Sequence, residues 1–281
     1  MNNISEITPA KETCKLHVRV ERRWTTYSPY NPTEKRSMKL ILLDAKYLIS
    51  KFEKLIKEGG FYRFTNFEIE QNNEEFIETR HPYRLKFHKF TSTRPAENLG
   101  IPKYGFKFIP FAEFGTGTCY AKLLVGKVVE DVIAEVLNIG DIVELSKNGQ
   151  CTKRVTIHLL DSTGDTIECT LWNNYADQMV NYWKSKDGSV CAILQYAMVK
   201  DFRCVKCLLN SMFATRMLIN EDVLELADFM NIFSKIVMLA NLSPNNHYHM
   251  DLMHYLMISQ LYCNSKECCC QVHVRVEDEF G

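Results

Sequence analysis

The chain has 281 residues, of which 46% are hydrophobic and 24% charged, a composition typical of a globular protein long enough for about two domains. Lysine and arginine together number 34, as do aspartate and glutamate, so any nucleic-acid site must be a local basic cluster. No basic N-terminal segment precedes an apolar run, and no run reaches the roughly 18 apolar residues of a membrane span. The sequence therefore predicts a soluble intracellular protein without membrane contact.

The first half of the sequence predicts strands interrupted by one helix. Alternating apolar residues indicate strands at residues 15–24 and 37–44. The apolar spacing of residues 48–60 predicts a helix that ends at a Gly pair. Further strands are predicted within residues 61–70 and 83–90.

The second half predicts a similar order of elements. A strand within residues 123–137 is followed by a hairpin of residues 155–162 and 165–172, whose turn contains Gly164. Asn173 and Asn174 offer an N-cap for a helix that ends at Asp187 and Gly188. Two more strands follow, within residues 190–199 and 208–219.

Three strands, a helix and two further strands are the order of the OB-fold, a five-stranded Greek-key barrel. Both halves follow this order, so the predicted fold class is mainly β, with tandem OB-folds and a helical or irregular C-terminal tail. The tripeptide Leu-Leu-Asp occurs in both halves, at residues 42–44 and 159–161. Between this tripeptide and the strand after the helix, the first half is about a dozen residues shorter. The first barrel is therefore expected to lack its third strand and to be the less stable half. The predicted domains are residues 1–114, 120–220 and, for the tail, 221–281.

Aromatic and basic residues in the second predicted barrel suggest a nucleic-acid site. Single-stranded nucleic acid binds through bases stacked on aromatic rings and a basic groove for its backbone. Trp172 ends a strand and Phe202 lies in a bend, although a strand tryptophan on its own is usually a core residue. The local basic residues are Lys153, Arg154, Lys200, Arg203 and Lys206.

The stretches TKRVTIHLLDSTGDTIECTLWNNYADQM, VKDFRCVKCLLNSMFATRMLIN and LISKFEKLIKEGGFYRFTNFEI resemble the large, DNA-binding subunit of replication protein A. The resemblance is to a plant-type paralogue in truncated form and extends over residues 14–220. It implies a nuclear protein that binds single-stranded DNA in replication, repair or recombination, with the other replication protein A subunits as candidate partners. Trp172 and Phe202 match the family's base-stacking residues of the second DNA-binding domain. Phe76 matches a stacking residue of the first.

At residues 271–279 the C-terminal segment resembles the strand that follows the zinc ribbon in the family's third, zinc-bearing domain. Cys263, Cys268, Cys269 and Cys270 do not form two spaced CxxC pairs, so we expect neither a structural zinc ion nor another cofactor. The remaining cysteines, such as Cys169 and Cys191, occur in strand-like segments and are expected to be reduced and buried.

The sequence carries no recognisable catalytic motif. It has no HExxH, no Gly-rich phosphate loop after a strand and no paired nucleophile and histidine, so we expect a binding protein and not an enzyme. The alternative is a degenerate paralogue whose OB-folds serve as protein-interaction or structural modules with weak or no DNA binding.

Overall fold

A computed structural model of the chain describes residues 8–9, 15–27, 35–43, 55–72, 81–88, 90–98, 100–114, 128–147, 150–202, 205–242 and 271–276. The chain divides into two units. Unit 1 comprises Met1–Gly105 together with Cys268–Gly281, and unit 2 comprises Phe106–Glu267.

Strands dominate both units. Within the described residues they are β1 (Lys15–Tyr27), β2 (Lys35–Leu43), β3 (Phe61–Thr65), β4 (Glu68–Gln71), β5 (Tyr83–Lys86), β6 (Ser92–Pro95), β7 (Val128–Ile139), β8 (Val143–Lys147), β9 (Gln150–Leu160), β10 (Thr166–Trp172), β11 (Cys191–Phe202), β12 (Val205–Asn210), β13 (Arg216–Ile219) and β14 (Gln271–Val276). The helices are α1 (Asn174–Ser185) and α2 (Leu224–Leu242), with a 3₁₀ turn at Phe111–Glu113.

Five strands of unit 2 form a closed barrel. β7 lies between β11 and β9, and β9 pairs antiparallel with β10. β10 pairs in parallel with β12, which returns antiparallel to β11 and so closes the ring. β8 extends the first part of β9 as a hairpin. The sequence-based prediction of an OB-fold is thereby confirmed, because this strand connectivity is the OB-fold order.

Alternation along the strands separates the core of unit 2 from its outer face. On β9, Val155, Ile157 and Leu159 are buried, while the intervening residues are at least partly exposed. Helix α1 covers this core with Ala176, Met179 and Val180, the apolar face expected from their spacing. Burial of each large apolar side chain contributes about 1.5–3 kcal/mol, so the inward residues fix which residues point outward.

The second Leu-Leu-Asp tripeptide ends in a buried carboxylate that organises the β9–β10 turn. Asp161 Oδ1 accepts hydrogen bonds from the backbone N–H groups of Thr163 (2.9 Å) and Asp165 (3.1 Å). Asp161 Oδ2 accepts another from the N–H of Phe111 at the 3₁₀ turn (2.8 Å). The hairpin is therefore fixed by its own side chain and fastened to the segment that enters unit 2. The corresponding Asp44 lies outside the described residues.

The sheet of unit 1 has the order β4-β5-β14-β2-β1-β3-β6. β3 and β4 follow one another across Asn66, whose φ of 63° bends the chain. β11 bends in a similar way in unit 2, where Tyr196 has a φ of 58° beside a register shift. Each unit thus has its own bent segment, and the two parts of that segment can pair with different neighbouring strands.

The C-terminal strand β14 belongs to unit 1, which differs from the predicted tail at residues 221–281. β14 pairs antiparallel with β2 and parallel with β5. β10 makes the same two kinds of pairing in unit 2, antiparallel with β9 and parallel with β12. β14 therefore takes the place of the strand expected to be missing from the first barrel. It pairs edges of β2 and β5 whose backbone groups would otherwise lack partners.

The structure differs from three smaller predictions. Residues 55–60 form turns where the end of a helix was predicted, and residues 48–54 of that helix lie outside the described residues. The strand predicted at residues 208–219 is two strands, β12 and β13, because a turn at residues 211–215 separates them. Asn173 precedes α1 but its side chain does not cap the helix, since its Oδ1 accepts the N–H of Lys153 (3.1 Å).

Candidate nucleic-acid interface

The outward side chains of four neighbouring barrel strands form one surface of unit 2. In register, Thr156 of β9 pairs with Thr170 of β10, which pairs with Leu209 of β12, which pairs with Met198 of β11. We call this surface the outer face. It contains Arg154, Thr156, Thr170, Trp172, Leu209, Met198 and Lys200.

Trp172 lies at the end of β10 on the outer face and not in the core. The buried residues of β10 are Ile167, Cys169 and Leu171, so Trp172 falls on the opposite face by alternation. Its side chain is only partly buried. Its backbone N–H donates to Asn210 Oδ1 (2.6 Å), which holds the end of β10 against the end of β12. A half-exposed ring on a firmly held strand end is suited to stack on a flat ligand.

Arg154 is the cross-strand partner of Trp172. The two residues pair in the β9–β10 register, and the Arg154 guanidinium carbon lies 6.0 Å from the centroid of the Trp172 ring. This separation is at the outer limit of a cation–π contact. Arg154 is exposed, so its positive charge is presented beside the aromatic ring.

Lys153 is placed differently from its neighbour Arg154. Its ammonium lies 3.4 Å from Asp177 Oδ1 and 3.8 Å from Glu144 Oε1. By alternation it falls on the face opposite to Trp172. Two carboxylates therefore already share the charge of Lys153, which reduces what it offers to a phosphate.

The second aromatic residue lies at the β11–β12 connection. Phe202 pairs with Val205 in the register of these strands, and Lys206 pairs with Asp201. Lys200 is exposed on β11. Arg203 and the side chain of Phe202 lie outside the described part of the chain, so their roles stay predictions.

Trp172 and the backbone of Phe202 lie beside opposite ends of β12. Trp172 is bonded to Asn210 at the end of β12, whereas Phe202 pairs with Val205 at its beginning. From Val205 to Asn210 a strand advances about 17 Å, at about 3.3 Å per residue. The two positions are thus separated by about the length of β12.

The β8–β9 hairpin and Asn210 were missed by sequence reasoning. The hairpin exposes apolar side chains close to Arg154: Val143, its register partner, is 40% exposed, and Leu145 is 38% exposed. The alternation Ile142, Glu144 and Ser146 against Val143 and Leu145 was an available signal for a strand. Asn210 is buried and gave no signal, because its role depends on a partner 38 positions away.

The cysteines described in unit 2 are reduced. Burial, and then the neighbouring Cys207, raises the pKa of the Cys169 thiol well above its ordinary range. Burial and the nearby Glu135 raise the pKa of Cys191 to about 12. Both thiols therefore pack as small apolar groups.

The described residues contain neither a metal-binding cluster nor a membrane-spanning helix. No group of three or more histidine, cysteine, aspartate or glutamate side chains is arranged to hold a metal ion in that part of the chain. Neither helix there is long and apolar enough to cross a membrane. Phe76 lies outside the described residues.

Fold and outer face together define a tandem OB-fold protein with an aromatic and basic surface. Residues 125–220 match the family described as "Replication protein A OB domain". Residues 5–114 match a family described as "Domain of unknown function DUF223". The second barrel is therefore similar to the OB domains of replication protein A.

Curated relatives support this relationship. The chain is 26% identical over 132 residues to the "Replication protein A 70 kDa DNA-binding subunit" of Xenopus laevis, a match that covers 46% of this chain and 20% of that protein. It is 26% identical over 135 residues to a replication protein A 70 kDa DNA-binding subunit of Arabidopsis thaliana, covering 47% and 20%. The matched region spans only about a fifth of these relatives. Animal and plant relatives match equally, so the plant-type assignment stays a prediction.

A solved structure shares the fold. The structure of a replication protein A heterotrimer bound to ssDNA aligns with a TM-score of 0.51 and 17% identity, covering 84% of this chain and 55% of that one.

Proposed function

We propose that the protein binds single-stranded DNA through the outer face of unit 2, as a binding module without catalytic activity. Trp172 and Phe202 stack on bases. Arg154, Lys200, Arg203 and Lys206 contact the backbone, with Lys153 in a lesser role. The observation that carries the proposal is the half-exposed Trp172 at the end of a barrel strand with Arg154 beside its ring.

The relatives extend the proposal to the cellular setting. They are named as DNA-binding subunits of replication protein A, and the solved neighbour is a heterotrimer on ssDNA. We infer a role in DNA replication, repair or recombination in the nucleus, with other replication protein A subunits as partners. Phe76 is proposed as a stacking residue of the first barrel.

The test compares single strands with duplexes on the full chain. Fluorescence anisotropy with oligo(dT) and with a duplex of equal length should give tighter binding to the single strand, because stacking requires unpaired bases. The logarithm of the affinity should fall with the logarithm of the salt concentration, by about 0.7 for each phosphate contacted. Equal affinity for single strand and duplex would contradict stacking. A salt-independent affinity would contradict the basic contacts.

A further inference from the structure

The turn between β12 and β13, residues 211–215, exposes two large apolar side chains. Met212 is 77% exposed and Phe213 is 41% exposed. The next two residues, Ala214 and Thr215, are buried, so one part of the turn is anchored in unit 2 while its tip lies at the surface. Single exposed apolar residues are common on protein surfaces, whereas apolar residues that share a surface mark binding sites. We call Met212 and Phe213 the apolar tip.

The turn is fixed by its own polar groups. The Ser211 N–H donates to Thr215 Oγ1 (2.7 Å), and Ser211 Oγ accepts from the N–H groups of Ala214 (2.7 Å) and Thr215 (3.1 Å). Thr215 Oγ1 donates in turn to the Tyr196 carbonyl (2.8 Å), and the Tyr175 hydroxyl donates to the Thr215 carbonyl. The apolar tip is therefore presented by a pre-organised support, which lowers the conformational entropy lost when a ligand binds.

The turn begins beside Trp172. In the parallel pairing of β10 with β12, Thr170 lies opposite Leu209. Continued by two residues, this register places Trp172 opposite Ser211, the first residue of the turn. The Asn210 side chain agrees with this alignment, because its Oδ1 accepts the N–H of Trp172 (2.6 Å) and its amide donates to the Ser211 carbonyl (3.1 Å). Paired strands are about 4.8 Å apart, so the apolar tip begins one residue after the position that faces Trp172.

The chemistry of the apolar tip favours a base over a phosphate. Neither side chain carries a charge or a hydrogen-bond donor, so neither compensates a phosphate for the water it would lose. A phenyl ring and a thioether instead pack well on flat aromatic groups, and every unpaired base has such a face. Trp172 thus has the charge of Arg154 on its β9 side and the apolar tip on its β12 side.

We propose that the apolar tip is a further base-binding position of the outer face, where Phe213 stacks on the base next to the one held by Trp172 and Met212 packs against it. This inference rests on the proposed function. It extends the interface from the strand ends to the β12–β13 turn. It also adds base contacts without adding phosphate contacts, which gives it a distinct signature in a salt titration.

The test measures anisotropy of the full chain with an oligo(dT) of about 16 nucleotides, the upper site size of one OB-fold, at several salt concentrations. Phe213→Ala should weaken binding by about 5-fold or more, since one stacked base contributes at least about 1 kcal/mol. The slope of log affinity against log salt should stay unchanged, because no phosphate contact is lost. Phe213→Tyr keeps a ring on the turn and should bind like the wild type. Wild-type affinity for Phe213→Ala, or a lowered salt slope, overturns the proposal.

Met212 separates binding from folding. Because its side chain is largely exposed, Met212→Ala should leave the melting temperature unchanged. The affinity per folded molecule should fall by about 2- to 10-fold, the effect of losing a thioether packed on an aromatic ring. The matched control is Leu224 at the start of α2, which is 73% exposed, and Leu224→Ala should change neither quantity. Equal effects of Met212→Ala and Leu224→Ala on affinity overturn the proposal.

Trp172→Ala distinguishes failure of the apolar tip from failure of the proposed function. If Trp172→Ala weakens binding while the variants of Met212 and Phe213 bind as wild type, only the apolar tip fails. If none of these substitutions changes the affinity, the proposed function fails with it.

Discussion

Trp172 connects the geometry of unit 2 most directly to binding. Because its ring is half-exposed and its backbone is held by Asn210, Trp172→Ala should weaken oligo(dT) binding by about 1–3 kcal/mol, the contribution of one stacked base. The fold should change little, since the core of β10 is formed by the alternate residues. Anisotropy and thermal melts on the same samples measure both quantities.

Trp183 is the matched control for that substitution. It lies on α1, packs against the core of unit 2 and has the Lys186 ammonium 3.2 Å from its ring centroid. Trp183→Ala should lower the melting temperature and leave the affinity per folded molecule unchanged. If Trp172→Ala gives the result expected for Trp183→Ala, then Trp172 is a core residue and does not stack on a base.

Arg154 and Lys153 are adjacent in sequence but should differ in effect. Arg154→Gln removes an exposed charge beside Trp172, so binding should weaken and the salt slope should fall by about 0.7. Lys153 has Asp177 and Glu144 as partners, and Lys153→Gln should therefore change the slope less. Salt titrations of the two variants provide the measurement. A larger effect for Lys153 would place the DNA on the other side of β9.

Glu70 makes the stability of unit 1 depend on pH. Burial opposes ionisation of Glu70, but hydrogen bonds and charge from Arg84 and Lys86 outweigh it and lower its pKa below 4.5. A carboxyl whose pKa is lower in the folded state stabilises that state above its unfolded pKa. This contribution should be complete above about pH 4.5 and disappear as the pH falls through the lowered value. Thermal melts between about pH 3 and about pH 6 cover the range in which a glutamate titrates. The melting temperature of Glu70→Gln should fall less at acid pH than that of the wild type.

Among the secondary-structure elements, β14 is the one on which unit 1 depends. Deleting residues 268–281 leaves β2 and β5 with open edges, so unit 1 should become the first site of proteolytic cleavage. Limited proteolysis followed by mass analysis would locate the cuts, with unit 2 as the internal reference. Unchanged protection of residues 55–105 in the deletion variant would show that β14 is dispensable.

Local patterns predicted most strands and the helix α1, because alternation and helical spacing are properties of short segments. They predicted Trp172 on a strand end as well. The partner of a strand is a long-range property: the tetrapeptide His-Val-Arg-Val lies in both β1 (residues 17–20) and β14 (residues 273–276), which flank β2 on its two sides. Nothing local distinguishes a strand that completes the first barrel from one that begins a third. For the same reason, neither the role of Asn210 nor the carboxylate partners of Lys153 were foreseen.

On the scale of the whole chain, the proposed attraction to single-stranded DNA comes from the outer face of unit 2, where a ring and an adjacent arginine lie at one strand end. The chain is neutral overall, so attraction to DNA depends on these local sites and not on net charge. Raising the salt concentration should therefore weaken binding through these local basic residues, although the chain has no net charge.

Oligonucleotide length gives the final prediction. If both barrels bind one strand, the second contact is intramolecular, and affinity should rise by about 10²–10⁴-fold once the oligonucleotide reaches both sites. Oligo(dT) lengths from about 8 to about 30 nucleotides cover one site and two. Weakening the contact of unit 2 should reduce the step, so Trp172→Ala should give a shallower dependence on length. A smooth curve for the wild type would mean that one barrel binds alone.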